Sequence, residues 1–321
     1  MPYPATVTGS GVGELNDILE RLEASLGPLS GEPVALHGGI TNRNYRATLG
    51  GKDYVIRMPG KDTELLGIDR EAERVANGTA AMYGLAPAVA GWMEDCLVTE
   101  FVACKTVEQE DVARSVEEIA RALHTFHESG VRLSAHFWVP DLLAHYAEVA
   151  ERRGALLDPS YKAAQLVAER IEVALPLTEP QPCHNDLLSA NLIRAQGDGR
   201  LMIVDWEYAG MGHPLFDLGN LAVNNELGEQ AEERLLVAYY EATPTDVQRA
   251  TLKVMRVLSD AREGAWAVVQ ARLSQLDFDF AGYADKHFER LQSTTARLEF
   301  DEWLSHIEHT TRKDPHHGKT A

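Results

Sequence analysis

The chain has 321 residues, 45% apolar and 25% charged, a composition that supports a sizeable folded core and excludes wholesale disorder and collagen-like or low-complexity classes. That length favours two lobes over one compact unit. Against 30 Lys and Arg stand 49 Asp and Glu, a formal charge of -19. Such a surface repels nucleic-acid phosphates and anionic membranes and leaves cationic ligands as candidates, although solubility accounts for most of the acidity. Cys96, Cys104 and Cys183 are too scattered for a disulfide framework or a paired zinc motif. No apolar run approaches the ~20 residues of a membrane helix, and the N-terminus lacks the order of a signal peptide. The expectation is a soluble, cytoplasmic protein.

In chain order, Leu15, Ile18, Leu19, Leu22 and Leu26 fall at helical spacing and Gly27-Pro28 ends that segment, which predicts an amphipathic helix over 14–26. Three short strands follow, 34–39, 41–49 and 53–60, the last two joined by a Gly50-Gly51 hairpin. A helical pattern from Thr63 to about Met82 and an apolar strand over 96–102 complete a small α+β unit. The remainder reads as mostly helical. Val116, Ile119, Leu123 and Phe126 share one face of a helix closed by Gly130, and further helices fit 161–175, 231–241 and 246–274. One β-rich stretch interrupts them, a hairpin turning at Gly197-Asp198-Gly199. The polar C-terminus, with His306, His309, His316 and His317, reads as a frayed tail rather than a metal site.

Three separated segments combine into a phosphoryl-transfer site, where a protein mainly positions reactants and neutralises charge. His184-Asn185-Asp186 followed by Asn191 keeps the spacing of the kinase catalytic loop H-R-D-x-x-x-x-N, with Asn185 in place of Arg. Asp186 is then the base and His184 a group that fixes the loop. Asp205 leaves an apolar strand where kinases carry a metal-binding Asp. If Asp198 centres the turn, positions summing to 396 face each other, so Asn191 and Asp205 are expected side by side as oxygen ligands for Mg²⁺. The third segment, Gly38-Gly39-Ile40-Thr41-Asn42-Arg43-Asn44, offers close backbone approach and hydroxyl and amide donors to phosphate through Gly39, Thr41, Asn42 and Asn44. Two strands on, Arg57 occupies the place of the phosphate-contacting kinase cation, with Glu73 expected as its partner and Glu71 second. His124 and His127, on a helix ahead of the loop, read as packing or surface residues. The order of these segments carries the argument, because each alone is commonplace.

These residues resemble the choline/ethanolamine kinase family, within the aminoglycoside-phosphotransferase-like branch of the kinase fold. HNDLLSANLI and IVDWEYAG look like that family's catalytic loop and metal segment, FDLGNLA like the helix that follows, and GGITNRNY and YVIRMPGK like its bacterial choline-kinase-like members. The resemblance covers about residues 36 to 292. It implies an α+β, two-lobed protein-kinase-like fold, with a small antiparallel-sheet N-lobe (1–102) and a larger, mainly helical C-lobe (103–321). It also implies Asp186 as catalytic base, Asn191 and Asp205 as Mg²⁺ ligands, Arg57 and Glu73 as the phosphate-positioning pair, and Glu100 to Val102 as the adenine-binding hinge. ATP and Mg²⁺ are the implied cofactors, and a homodimer is left open.

The stretch from Trp266 to Phe288 is similar to the segment that gives choline kinases the aromatic walls of their choline site, with Trp266 and Tyr283 at matching positions. A quaternary ammonium donates no hydrogen bond and is held by aromatic faces and carboxylates. Animal choline kinases carry a second tryptophan three residues before the one matched by Trp266, where this chain has Glu263. Glu207 is a further candidate to contact the cation or a second metal, or is a buried structural carboxylate. The expected activity is ATP-dependent phosphorylation of a small cationic amino alcohol, choline ahead of ethanolamine. Alternatives are an aminoglycoside, thiamine or a homoserine-like acceptor, or a nucleotide-binding regulator without catalysis.

Overall fold

The structure, a computed structural model, describes residues 9–36, 42–93, 96–274 and 276–313. Gly39 and Thr41 of the glycine segment, and His316 and His317, lie outside the described residues. In order, the elements are α1 (Gly9–Leu26), β1 (Leu29–Leu36), β2 (Arg43–Leu49), β3 (Lys52–Met58), α2 (Arg70–Met82), β4 (Val89–Met93), β5 (Cys96–Glu100), β6 (Cys104–Thr106), α3 (Gln109–His127), α4 (Val139–Arg152) and α5 (Pro159–Ala174). Then come β7 (Gln181–Cys183), β8 (Leu192–Ala195), β9 (Leu201–Ile203), β10 (Gly210–Gly212), α6 (Pro214–Asn224), α7 (Glu229–Tyr240), α8 (Asp246–Leu273), α9 (Phe280–Thr295) and α10 (Leu298–Lys313). Short 3-10 turns fall at Thr63–Leu66, Ser189–Asn191 and Trp206–Tyr208.

The first five strands form one antiparallel sheet in the order β1-β2-β3-β5-β4. Its central hairpin turns in two residues, since Leu49 faces Lys52, and both Gly50 (φ 58°) and Gly51 (φ 80°) are left-handed, as a type I′ turn requires. Gly50 is needed twice over, because a Cβ there would lie 2.1 Å from the Leu26 carbonyl oxygen. On one face of this sheet the apolar stripe of α1, Leu15, Ile18, Leu19 and Leu22, is buried with Tyr45, Leu49, Tyr54, Ile56 and Met58. Burying each such side chain contributes about 1.5–3 kcal/mol.

A second and larger core gathers the helices. The face expected on α3 is there, with Val116, Ile119, Leu123 and Phe126 all at 0% exposure. α8 runs through the middle, buried on nearly every side over its second half, Asp260, Arg262 and Glu263 included, and packed by α4, α6, α9 and α10; a helix buried all round shows no exposed polar face. α2, which the sequence order places with the sheet, gives its small buried residues Ala72, Ala76 and Ala80 to this larger core. β4 was not visible as a strand, being a half-exposed edge of five residues with a glycine inside it. The C-terminal stretch is helical as far as Lys313 rather than frayed, with Ile307 at 1% exposure anchoring α10.

The β8–β9 hairpin differs by one position from expectation. Leu192 faces Ile203 and Arg194 faces Leu201, so paired numbers sum to 395. Gly199 takes the left-handed conformation (φ 73°), which allows a four-residue loop closed by the Ala195 N–H donating to the Arg200 carbonyl at 3.0 Å. An even-numbered loop pairs Asn191 with Val204, whose N–H donates to the Asn191 carbonyl at 2.9 Å. Asp205 therefore sits one residue beyond the ladder.

α6 approaches α8 closely at Gly219, where a Cβ would stand 2.8 Å from the Met255 carbonyl carbon and Cβ. These atoms belong to a helix backbone and cannot swing aside. Gly219→Ala is expected to lower stability by about 1–3 kcal/mol, read as a shift of the urea midpoint.

Candidate functional site

The segment that follows β7 is held from below by α6. His213 caps that helix, its ring accepting from the Leu215 N–H at 3.2 Å, and Asp217 falls in the first turn. Its carboxylate accepts from the backbone N–H of His184 (2.8 Å) and of Asn185 (2.6 Å), and from His127 Nε2 of α3 at 2.9 Å. Tyr239 of α7 meets the other nitrogen of that ring at 2.8 Å. Burial alone would raise the Asp217 carboxyl, but these donors hold it below its ordinary value. Asn220, one turn on, accepts from the Leu187 N–H at 2.5 Å, and Asn225 donates to the Leu187 carbonyl at 3.0 Å. The loop is thereby fixed by backbone contacts at His184, Asn185 and Leu187, which leaves Asp186 presented between them. Asn185 tolerates a left-handed backbone (φ 69°) and donates to the Tyr208 carbonyl.

His184 is at 0% exposure and both ring nitrogens are engaged. The Asp186 N–H donates to Nδ1 (3.2 Å), so Nδ1 accepts and the proton is on Nε2, 3.0 Å from the Val204 carbonyl. Burial lowers its basicity further. The ring fixes the loop, as the sequence suggested, and His127 and His124 are likewise a buried partner of Asp217 and an exposed residue edge-on to Tyr239. Asp186 itself is held at both carboxylate oxygens, Oδ2 by Asn191 Nδ2 at 3.2 Å and Oδ1 by Arg262 Nη1 at 3.3 Å. Burial raises its carboxyl to about 7, against the pull of Arg262.

Opposite this loop stands a cluster of charges from the sheet and α2. Arg57, on β3, pairs with Glu73 at 3.2 Å and with Asp205, and lies 3.6 Å from Glu207. Glu73 is the partner expected; Glu71 instead pairs with Arg74 on the exposed side of α2. The start of α2 sets this geometry, since Asp69 caps it by accepting from the N–H of Glu71 and Ala72 and so orients Glu73 inward. Burial works against the charge on Arg57, but the three carboxylates hold its proton more tightly than usual. Its Nε is buried without a hydrogen-bond partner among the described residues. Asn44 faces Arg57 across the β2–β3 ladder, and Asn42 donates to Glu207 at 3.0 Å. Arg70, which sequence reasoning missed, binds Glu73 at 2.5 Å and lies 3.5 Å from Glu207. Its signal, an Arg three residues before the expected ion-pair Glu, is too common on helices to single out.

Asp205 adopts a left-handed backbone (φ 67°, ψ 61°), which costs a non-glycine residue about 1–2 kcal/mol and turns its carboxylate towards Arg57. Glu207 is 3% exposed, and burial together with the Asp205 carboxylate raises it to about 7. Its bonded partners are Asn42, Arg57 and Arg70, none of them in the aromatic group expected to take a cation. Glu100 has an exposed side chain 3.8 Å from Lys52, and its backbone N–H is used by the Ala88 carbonyl. Val102 lies half-buried in the three-residue link from β5 to β6.

The residues expected around a cation do gather. Trp266 and Tyr283 meet edge to face at 6.1 Å between centroids, with Phe280 and Phe278 against them. Trp266 Nε1 donates to Tyr208 Oη at 2.9 Å. Glu263 departs from expectation: it is 2% exposed, and its oxygens are taken by Arg262 (2.8 Å) and Tyr283 (3.0 Å). The preceding Arg is the reason, a neighbour on the same helix that brings a buried positive charge needing a counter-ion. Arg262 had no motif to announce it.

Loss of the Asp217 charge strands the donors of the loop. Asp217→Asn is expected to cost about 3 kcal/mol, measured by urea denaturation. Because the folded carboxyl is held below its unfolded value near 4, its contribution is present at neutral pH and lost as pH falls through and below about 4. The variant therefore shows a shallower acid decline than the wild type.

Residues 32–252 match the family described as APH, phosphotransferase enzyme family. A choline/ethanolamine kinase family protein from Mesorhizobium loti has a solved structure with a TM-score of 0.76 and 28% identity, covering 93% of this chain and 99% of that one. The structure of choline kinase LicA from Streptococcus pneumoniae gives a TM-score of 0.75 and 26% identity over 88% of this chain and 99% of the other, and LicA has also been solved in complex with AMP. Ethanolamine kinase 1 of Homo sapiens is 26% identical over 78% of this chain and 65% of its own length. The fold is kinase-like, and the chain belongs to the APH phosphotransferase enzyme family, as a member similar to the choline/ethanolamine kinases.

Proposed function

We propose that the protein transfers the γ-phosphoryl group of ATP to the hydroxyl of a small cationic amino alcohol, choline ahead of ethanolamine. The observation that carries the reading is a loop carboxylate, Asp186, held at both oxygens and facing a cluster built on a buried Arg with a spare donor. In this reading the nucleotide lies between an N-lobe of residues 1–102 and a C-lobe of 103–321. The segment Glu100 to Val102 meets the adenine, and Gly39, Thr41, Asn42 and Asn44 lie along the phosphates. Arg57, kept in place by Glu73, directs its free Nε towards an anion. The three free cysteines fit a reducing cytoplasm.

Asp186 takes the position of the base. It accepts the hydroxyl proton as the alcohol oxygen bonds to the γ-phosphorus and the bond from that phosphorus to the bridging oxygen breaks, releasing ADP, and its fixed carboxylate aligns the attacking oxygen. Asn191 Oδ1 and the Asp205 carboxylate are the hard oxygen donors that Mg²⁺ prefers, and Asn191 uses only its Nδ2 within the loop. The ion would supply neutralisation of phosphate charge.

Choline is preferred for a local reason. Trp266, Tyr283 and their aromatic neighbours offer ring faces and edges, while the Glu263 carboxylate already accepts from three side chains, Arg262, Tyr283 and Asn220 (3.4 Å), one more than Asp186, and so has less left for the N–H donors of a primary amine.

The test is turnover of an acceptor panel with Mg-ATP, followed by ³¹P NMR. Phosphocholine is expected as the leading product, and Asp186→Asn is expected to lower its rate by about 10²–10⁴-fold with circular dichroism unchanged. Near-wild-type turnover in that variant removes Asp186 from the role of base. A preference for a neutral sugar removes the cation site, and nucleotide binding without turnover of any acceptor turns the reading to a regulator.

A further inference from the structure

Arg262 lies on the central helix α8 with 2% of its surface exposed. Its Nη1 stands 3.3 Å from Asp186 Oδ1 and 2.8 Å from Glu263 Oε1, and its Cζ lies 4.4 Å from the Tyr208 ring centroid. Nε and Nη2 are buried without a hydrogen-bond partner among the described residues. If neutralising Glu263 were its only task, contact with the loop would be superfluous. Yet the bonds to the Asp186 carboxylate divide between two residues, Asn191 on Oδ2 and Arg262 on Oδ1. An ionised carboxylate has about four lone-pair sites, so both holders can stay while an alcohol also binds.

We propose that Arg262 is a positioning residue for Asp186 and that it also sets the charge of the acceptor pocket. The inference rests on the functional reading above. With Asp186 in the ionised form that acts as a base, Asp186 and Glu263 each bring one negative charge and Arg262 one positive, which leaves a single negative charge, a match for an acceptor with one positive charge. Arg262→Met frees one oxygen of Asp186 and leaves two buried carboxylates without their cation. Positioning and charge then move in opposite directions, and a merely structural role moves neither selectively.

The experiment measures kcat and KM for choline in Arg262→Met, Arg262→Lys and the double variant Arg262→Met/Glu263→Gln, with Mg-ATP saturating. Arg262→Met is expected to lower kcat by about 100-fold, the scale of a misplaced reacting group, while KM for choline falls by about 10-fold because the cation that balances Asp186 and Glu263 is removed from beside the site. The double variant restores the single negative charge, so its KM returns to near wild type while kcat stays low. Arg262→Lys, which keeps the charge without the planar fork, recovers an intermediate kcat. Should Arg262→Met fail to fold, the charge-balanced double variant and Arg262→Lys carry the comparison. The inference is overturned if kcat stays within twofold of wild type in these variants, if the loss appears only as a higher KM, or if the double variant regains full kcat. A wild type that phosphorylates no amino alcohol overturns the functional reading instead. Positioning is then read on slow ATP hydrolysis, where water takes the alcohol's place, and a hydrolysis rate unchanged by Arg262→Lys and by the double variant overturns it.

Discussion

Asp217 is at 0% exposure, with His127 on one side and two loop N–H groups on the other. A carboxylate in that place is unfavourable unless every lone pair meets a donor. The consequence runs outward in both directions. To satisfy Asp217 the backbone at His184 and Asn185 must turn its N–H groups down onto α6, which forces the left-handed Asn185 and points Asp186 the other way. To satisfy His127 at the end of α3, helices α6 and α7 must sit where Asp217 and Tyr239 meet its ring. One buried charge thus ties three helices to the loop, and the geometry of the site is inherited from core packing rather than from the loop's own propensities.

The same logic governs the remaining charges. With a formal charge of -19, the molecule repels anions at long range, so a phosphate can be accepted only where cations have been gathered locally. Among the described residues, Arg57 and Arg70 are the cations of the cluster that includes Asp205 and Glu207, and each is held by carboxylates rather than left free. Arg262 repeats the arrangement on the other side of Asp186. Both sides therefore carry ion-pair clusters of nearly balanced charge, whose cations are oriented by their carboxylates before a ligand arrives, the condition under which electrostatic stabilisation is most effective.

Much of this was legible in the chain. The hairpin glycines, the apolar face of α3 and the spacing from Asp186 to Asn191 are local signals, each readable within a few residues because turn chemistry and helical period are local physics, whereas the helix expected from Thr63 begins only at Arg70, after the Asp69 cap. What escaped was non-local. Arg262 and Arg70 look like ordinary helix residues until the fold brings carboxylates beside them. Glu207 faces Arg57 and Arg70, whereas Tyr208, the next residue in the same 3-10 turn, meets Trp266; no spacing rule separates two neighbours that diverge in this way. The one-residue error in the β8–β9 register came from placing the turn centre on Asp198, where the left-handed conformation at Gly199 selects a four-residue loop.

That register has a consequence for how Asn191 and Asp205 can act. Had they faced each other within the ladder, both would have been held by strand geometry at a fixed cross-strand spacing. With Asn191 opposite Val204, Asn191 remains tied to the hairpin and to Asp186, while Asp205 has left the ladder and is restrained by its strained backbone and by Arg57. One donor is rigid and the other can trade its partner. In the proposed reading, a phosphate that draws on Arg57 would compete with Asp205 for the guanidinium, so filling of the phosphate site and release of the Asp205 carboxylate would be coupled through a single side chain.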